Sequence, residues 1–183
     1  MALRDAVLAA LLDSEASGYD LAKGFDGSVA NYWMATPQQL YRELDRLAEA
    51  GLIEARLVEQ ERRPNKRVYT LTDAGHATLR EFSEATPKPS VIRDELMVQV
   101  AVIEGGNAVA VCAALEDRIR RSAEKLERYE RMRTRLLAGR DESDFLTDAP
   151  RVGPYLTLLR GISYEQENIR WGERALAVIK RRM

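Results

Sequence analysis

The sequence has little of the chemistry on which enzymes and metalloproteins depend. Cys112 is the only cysteine and His76 the only histidine in the chain, so an intramolecular disulfide is impossible. No cluster of metal ligands and no glycine-rich phosphate loop is present. Cys112 falls on an apolar helical stripe, and His76 follows Gly75, where capping or exposure is expected. We therefore predict no catalytic residue, no metal and no cofactor.

Long apolar runs and an excess of one charge are also missing. No stretch approaches the roughly 18 consecutive apolar residues of a membrane span, and residues 6–12, which are apolar, lack a signal-peptide cleavage site and predict a first helix over residues 3–14. Because 31% of residues are charged and the formal net charge is only -1, a nucleic-acid-coating tail is excluded. With a single cysteine, we expect a cytoplasmic protein.

The clearest local signal is a helix start at Thr36-Pro37-Gln38-Gln39. Thr36 is a favourable N-cap, Pro37 suits the first helical position, and Gln39 completes a capping box. Leucines at 40, 44 and 47 form one buried stripe. The stripe turns five long polar side chains outward, which suits contacts with base edges and phosphates: Gln38, Gln39, Tyr41, Arg42 and Arg46. Taken alone, the pattern also fits a solvated helix face.

A cationic hairpin follows this helix. Residues 53–61 and 68–71 have the alternation and β-branched content of strands, and four of the six residues from 62 to 67 are basic. Residues 1–75 hold nine Lys and Arg against twelve Asp and Glu, so attraction to DNA must come from this local patch. The predicted phosphate-binding residues of the tip are Arg62, Arg63, Asn65, Lys66 and Arg67.

The second half of the chain predicts a helical domain. Prolines near residues 86–90 mark a linker between a domain at residues 1–85 and one at residues 91–183. We expect a buried helix over residues 93–104, long helices over residues 107–137 and 153–181, and a polar loop between the long helices. Apolar residues recur along the two long helices at alternating intervals of three and four positions, which is typical of a coiled coil and predicts a homodimer. The predicted contact residues are Leu115, Ile119, Leu126, Tyr129, Tyr155, Leu159, Ile162, Ile169, Trp171 and Leu176.

One long helix carries eight basic residues between positions 118 and 135, as a basic leucine-zipper helix would. Acidic residues are interleaved among them, which is typical of ion pairs one turn apart and would repel phosphate. We therefore expect this face to be solvated and not to bind DNA.

The chain resembles the PadR family of prokaryotic transcription regulators, in particular the longer subfamily with an AphA-like helical C-terminal domain. The strings that carry the resemblance are Gly18-Tyr19-Asp20-Leu21, Leu40-Tyr41-Arg42-Glu43-Leu44, Gly51-Leu52-Ile53 and, most specifically, Arg67-Val68-Tyr69-Thr70-Leu71-Thr72-Asp73-Ala74-Gly75. The resemblance implies a mainly α fold with a small β-hairpin: an N-terminal winged helix-turn-helix followed by a helical dimerisation domain.

By function, the resemblance implies a dimeric, ligand-responsive repressor of an inverted-repeat operator on double-stranded DNA. Tyr19 and Thr36 then join the DNA-contacting set, and a small-molecule effector is expected between the winged domain and the long helices. Pro37-Gln38-Gln39 departs from the small turn that many members carry, so the operator sequence does not transfer. The alternative is a winged-helix module that binds another protein.

Overall fold

The computed structural model describes residues 2–12, 14–24, 35–59, 65–89 and 93–183. The chain forms two compact units, Met1–Lys88 and Pro89–Met183, and the division falls inside the predicted linker at residues 86–90. Within the described ranges, no helix is long and apolar enough to cross a membrane.

In the residues that the structure describes, the N-terminal unit combines four helices with a three-stranded antiparallel sheet of order β1-β3-β2. Strands β2 and β3 pair from Ile53 opposite Leu71 to Val58 opposite Lys66. Strand β1 pairs Ala16 with Tyr69, and the sequence missed it because two residues show no alternation. In chain order the elements are α1 (Ala2–Ala10), β1 (Ala16–Ser17), α2 (Gly18–Gly24), α3 (Pro37–Glu49), β2 (Ile53–Val58), β3 (Lys66–Leu71) and α4 (Asp73–Glu84).

The core of this unit is aliphatic and is centred on α1 and α3. Val7 and Leu8 of α1 are fully buried, as is Leu44 of α3, and burying each such side chain stabilises the fold by roughly 1.5–3 kcal/mol. The predicted leucine stripe of α3 is confirmed. Helix α1, however, ends at Ala10 and not at residue 14 as predicted, because the apolar stripe that holds it to the core ends at Leu11.

Both ends of α3 are fixed by local hydrogen bonds. At the start, Thr36 and Gln39 form the predicted capping box. At the end, Gly51 adopts a left-handed φ of +69°, and the Leu52 amide donates to the Leu47 carbonyl at 2.9 Å while the Gly51 amide donates to Ala48. This is a Schellman motif, in which glycine avoids the strain of positive φ. The helix is therefore held at both termini, which orients its outward face.

The root of the hairpin packs tightly on the turn after α3. The Thr72 hydroxyl donates to the Gly51 carbonyl at 2.7 Å and accepts from the Gly75 amide at 3.1 Å, so Thr72 is the N-cap of α4. A Cβ at Gly75 would lie 2.2 Å from the Leu52 carbonyl oxygen, a distance that sterics forbid. Glycine at position 75 thus permits β3 and α4 to approach the turn that follows α3.

The C-terminal unit is entirely helical in its described part. The predicted long helices are confirmed as α6 and α8, but two expectations were wrong. The polar loop contains a short helix, whose Phe145 packs on Tyr155 with ring centroids 5.0 Å apart. The helix expected to be buried over residues 93–104 is short, and Val98 and Val102 stay exposed. The elements are α5 (Glu95–Ala101), a 3-10 turn (Ile103–Gly105), α6 (Ala108–Leu137), α7 (Glu142–Asp148) and α8 (Gly153–Arg182).

Two glycines let α6 and α8 approach each other closely. A Cβ at Gly161 would lie 3.1 Å from Cε2 of Tyr129, and one at Gly172 would lie 2.8 Å from Cγ1 of Ile119. Both glycines lie on the face of α8 that packs against α6. The long helices therefore form one antiparallel pair whose core closes within a single chain.

A polar layer interrupts this helix pair. Glu165 is buried, and its carboxylate accepts from Lys125 Nζ at 3.0 Å and from Asn168 Nδ2 at 3.3 Å. Burial lowers the pKa of Lys125, but the hydrogen bond and charge of Glu165 outweigh it and hold that pKa above its usual value. Because Glu165 is buried while Lys125 is 37% exposed, the carboxylate depends on these two partners to compensate its lost hydration.

Candidate nucleic-acid interface

The outward face of α3 is exposed as the sequence predicts. Gln38, Gln39, Tyr41, Arg42 and Arg46 are all exposed. Arg46 lies 3.6 Å from Glu43 in an exposed ion pair one turn away, which is easily exchanged for a phosphate. Arg42 has no ion-pair partner among the described residues, so its guanidinium is available to a ligand.

Gln39 takes part in both the fold and the exposed face. The Thr36 amide donates to Gln39 Oε1 at 2.9 Å, and the Gln39 amide donates back to the Thr36 hydroxyl at 3.2 Å. The carboxamide oxygen is therefore engaged by the cap, while the two N–H groups of Nε2 remain to donate. With the cap intact, one lone pair of Oε1 is occupied by the Thr36 amide, and the Nε2 donors are available to base acceptors.

The start of α2 lies against α3. A Cβ at Gly18 would fall 2.4 Å from Cε1 of Tyr41, so the tyrosine ring covers the backbone where α2 begins. The neighbouring Tyr19 is exposed over 66% of its surface. This contact, which the sequence did not predict, brings Tyr19 to the same side of the unit as the outward face of α3.

The described part of the hairpin presents cations at the end of β3 next to the tip. Asn65, Lys66 and Arg67 are exposed, and Arg67 has no ion-pair partner in the part of the chain that the structure describes. Lys66 Nζ lies 3.8 Å from the Asp20 carboxylate. The predicted contact residues Arg62 and Arg63 lie outside the described residues.

Asp20 connects the start of α2 to this hairpin. The Ser17 hydroxyl donates to Asp20 Oδ2 at 2.6 Å and accepts from the Asp20 amide at 3.1 Å, so Ser17 is the N-cap of α2. The Ser17 hydrogen bond holds the pKa of Asp20 below its usual value, and the charges of Lys66 and Lys23 lower it further. Asp20 is thus anionic at neutral pH and positions Lys66.

A second ion pair ties the hairpin to the strand before α2. Arg56 of β2 donates to both carboxylate oxygens of Glu15 at 2.8 and 3.1 Å. These residues are 41 positions apart, so no local pattern could have revealed the pair. Together with the Lys66–Asp20 contact, it holds the sheet against α2.

The residues predicted at a dimer seam divide into two groups. Four are buried within one chain, where they form part of the core between α6 and α8: Leu115, Tyr129, Tyr155 and Ile162. Six are half-buried: Ile119, Leu126, Leu159, Ile169, Trp171 and Leu176. The first group packs between two helices of the same chain, and the second keeps apolar surface exposed on α6 and α8.

The chain carries two family signatures in the order of its two units. Residues 7–81 match the transcriptional regulator PadR-like family, and residues 92–180 match the virulence activator alpha C-terminal domain. Among curated proteins, the chain is 33% identical to a probable transcriptional regulator of Mycobacterium tuberculosis, covering 93% of this chain and 94% of that protein. It is 29% identical to the negative transcriptional regulator PadR of Bacillus subtilis, over 97% of both chains.

Solved structures give the same result. Bacillus subtilis PadR in complex with operator DNA aligns with a TM-score of 0.76 at 29% identity, over 98% of this chain and 99% of that one. The Vibrio cholerae virulence activator AphA aligns with a TM-score of 0.73 at 26% identity, over 99% of both chains. The fold is thus a winged helix-turn-helix joined to a helical domain. The chain belongs to the PadR-like family of transcriptional regulators.

Proposed function

We propose that this chain is a homodimeric, ligand-responsive repressor that binds an inverted-repeat operator on double-stranded DNA. The observation that carries the proposal is the exposed polar face of α3, capped at both ends and flanked by Lys66 and Arg67 of the hairpin. Bacillus subtilis PadR, which is similar over its whole length, has been solved both with operator DNA and with p-coumaric acid, and this supports the assignment.

Within the proposal, base reading and phosphate binding belong to different residues. Gln38, Gln39, Tyr41 and Arg42 face the major groove, where glutamine and arginine recognise base edges. Lys66 and Arg67, with Arg62, Arg63 and Asn65, follow the phosphates beside it. Tyr19, Thr36 and Arg46 contact the backbone at the edges of α3. Phosphate contacts supply affinity and base contacts supply specificity.

Dimerisation supplies the second recognition helix. Two winged units related by a twofold axis would read half-sites about one helical turn apart, or a multiple of it. The surface we propose for the contact between chains includes the half-buried residues of α6 and α8, above all Ile119, Leu126, Leu159, Ile169 and Leu176. The dimer can adopt one geometry whose recognition helices fit successive grooves and another whose helices do not. An effector releases DNA if it binds the second geometry more tightly than the first.

The proposal places the protein in the cytoplasm of a prokaryotic cell, on the nucleoid when it is bound to its operator. It assigns no catalytic step to any residue. His76 is half-buried in the first turn of α4, where its amide donates to the Thr72 carbonyl at 2.9 Å, and in the described ranges no three His, Cys, Asp or Glu residues are grouped to hold a metal.

Selection of bound sequences from a random duplex pool tests the proposal most directly. We expect enriched sites with dyad symmetry and half-site centres about 10 base pairs apart or a multiple of that. Fluorescence polarisation with a random duplex should show affinity that falls steeply with salt. A protein-interaction module would enrich no sequence and show no salt-sensitive DNA affinity, and that result would favour the alternative.

A further inference from the structure

The outward face of α3 carries acidic side chains beside the basic and amide ones. Gln38, Arg42, Asp45 and Glu49 recur at intervals of four, three and four positions, a spacing that places them in one stripe along a helix. All four side chains are exposed, and the stripe lies opposite the buried leucines of α3. Two carboxylates therefore lie on the surface assigned to the major groove.

Asp45 falls within the span that a recognition helix uses for base contacts. In homeodomains, the base-contacting residues of the recognition helix are spaced as i, i+3, i+4 and i+7. Gln38, Tyr41, Arg42 and Asp45 have the same spacing, whereas Glu49 lies a full turn further on and is the last residue of α3. Because a helix rises about 1.5 Å per residue and successive base pairs are about 3.4 Å apart, Asp45 lies roughly one base pair beyond Arg42.

The Asp45 carboxylate is not engaged within the part of the chain that the structure describes. It forms no hydrogen bond and no ion pair there, although Arg42 lies one turn before it on the same face. The neighbouring Arg46 pairs instead with Glu43 at 3.6 Å. The Asp45 carboxylate is therefore available to accept a hydrogen bond from a ligand, whereas phosphates repel it because they carry the same sign of charge.

The chemistry of the major groove limits what such a carboxylate can contact. Cytosine and adenine each present an amino donor there, whereas guanine presents only acceptors and thymine an acceptor and a methyl group. An ionised carboxylate accepts hydrogen bonds but donates none. Opposite guanine or thymine, the Asp45 carboxylate would lose hydration without gaining a partner, which is costly, whereas opposite cytosine it gains a donor.

We propose that Asp45 is a specificity-determining residue, whose carboxylate accepts a hydrogen bond from N4 of a cytosine beside the base pair that Arg42 contacts. Aspartate is suited to cytosine as arginine is to guanine. The charge of Asp45 weakens binding to every duplex, and only the correct base compensates for this, so Asp45 selects the operator by penalising other sequences. The inference rests on the proposed DNA-binding function and adds a residue to the base-reading set.

Binding of the full-length protein to operator variants tests this role. Selection from a random duplex pool gives the preferred operator, and fluorescence polarisation against each single-base variant of it measures base preference. Asp45→Asn replaces the carboxylate by a carboxamide of nearly the same shape, which can also donate to guanine or thymine. The matched control, Glu49→Gln, removes the same charge from the same stripe, one turn beyond the base-contacting span. Both positions are exposed, so neither change should lower the melting temperature.

We expect the unmodified protein to prefer cytosine over guanine or thymine by roughly tenfold at the base position that Asp45 contacts. Asp45→Asn should reduce this preference to about twofold or less, and should strengthen binding to unrelated duplexes because a negative charge is removed. Asp45→Arg should prefer guanine at the same position. Glu49→Gln should strengthen binding to all duplexes alike and keep every base preference.

Arg42→Gln separates base reading from positioning. If Asp45 acted only by holding the Arg42 guanidinium, Asp45→Asn and Arg42→Gln would change preference at the same base position, which would overturn the proposal. Unchanged base preferences in Asp45→Asn would also overturn it, and selective binding by the unmodified protein would then leave the DNA-binding assignment standing. Absence of selective, salt-dependent duplex binding by the unmodified protein contradicts both that assignment and the role of Asp45.

Discussion

The two units of the chain use cations in opposite ways. Along α6, Arg120 lies between Asp117 and Glu124, Arg121 pairs with Asp117, and Arg131 pairs with Glu127. In the winged unit, Arg42 and Arg67 have no ion-pair partner in the described ranges. Arg120, Arg121 and Arg131 are thus neutralised by acidic residues of their own helix, whereas Arg42 and Arg67 are available to bind DNA. Whether a cation can bind DNA phosphates depends on whether an acidic residue one turn away already pairs with it, and not on how many cations surround it.

The two units also differ in whether a polar side chain contacts only the protein or remains available to a ligand. The helical unit buries the Glu165 carboxylate between α6 and α8 and pairs it with the half-buried Lys125, so the carboxylate is occupied within the protein. The winged unit places Gln39 at a helix start, where one end of the side chain holds the cap and the other faces outward. The Lys125–Glu165 pair thus has a structural role only, whereas Gln39 both caps a helix and can contact DNA. Four predictions follow from this difference.

Removing the cation that pairs with the buried Glu165 should have the largest effect. Lys125→Met leaves the Glu165 carboxylate without its counter-charge, which should destabilise the protein by about 2–3 kcal/mol in urea unfolding, less than for a fully buried pair because Lys125 is 37% exposed. The double variant Lys125→Met/Glu165→Met should recover most of that loss, because an apolar pair replaces the ionic one. If Lys125→Met were as stable as the unmodified protein, the Lys125–Glu165 pair would have no structural role.

A change at Gln39 should separate capping from base reading. Glutamate also accepts the Thr36 amide in a capping box, so Gln39→Glu should keep the melting temperature but lose the Nε2 donors. We expect a loss of about 1–3 kcal/mol in binding, concentrated at one base position of the selected operator.

Gln38→Glu adds the same charge at the neighbouring groove-facing position without touching the cap, so the two variants should lose affinity at different base positions. Binding measured across single-base operator variants distinguishes the two. If both variants weakened all operators equally, the effect would be electrostatic only, and Gln39 would have no base-reading role.

The contrast between the cations themselves is tested by Arg67→Ala and Arg120→Ala. Losing one phosphate contact at Arg67 should weaken binding to every duplex and reduce the slope of log affinity against log salt by about one unit. Arg120→Ala removes the same charge from α6 and should leave the slope unchanged. A change in base preference for Arg67→Ala, or an equal slope change for both variants, would contradict the assigned roles.

The smallest effect concerns pH. Because the folded state lowers the pKa of Asp20 below its usual 3.8, the group contributes stability that is present above that value and is lost as pH falls through the folded pKa. Asp20 is exposed, so the contribution should stay below about 1 kcal/mol. The stability difference between the unmodified protein and Asp20→Asn, measured by unfolding from pH 7 downward, should shrink below about pH 4. A difference independent of pH would remove Asp20 as the anchor of Lys66.

Features set by neighbouring residues were predictable. The capping box at Thr36, the caps at Thr72 and Asn107, the leucine stripe of α3 and the extents of α6 and α8 all depend on contacts within a few positions. The exposure of Arg42 and the pairing of cations on α6 followed from the same short spacing. What failed were elements that tertiary contacts stabilise: the two-residue strand β1, the helix α7 held by Phe145 on Tyr155, and the exposed short helix α5.

The sequence by itself therefore determined the order of the elements, the start of the recognition helix and the set of side chains that face away from its core, because these properties arise from backbone geometry over one or two turns. Only the tertiary structure decided which seam residues a single chain buries and that Gly18 and Gly75 allow their neighbours to approach. Those features depend on pairs of residues distant in the chain, whose proximity no local spacing encodes.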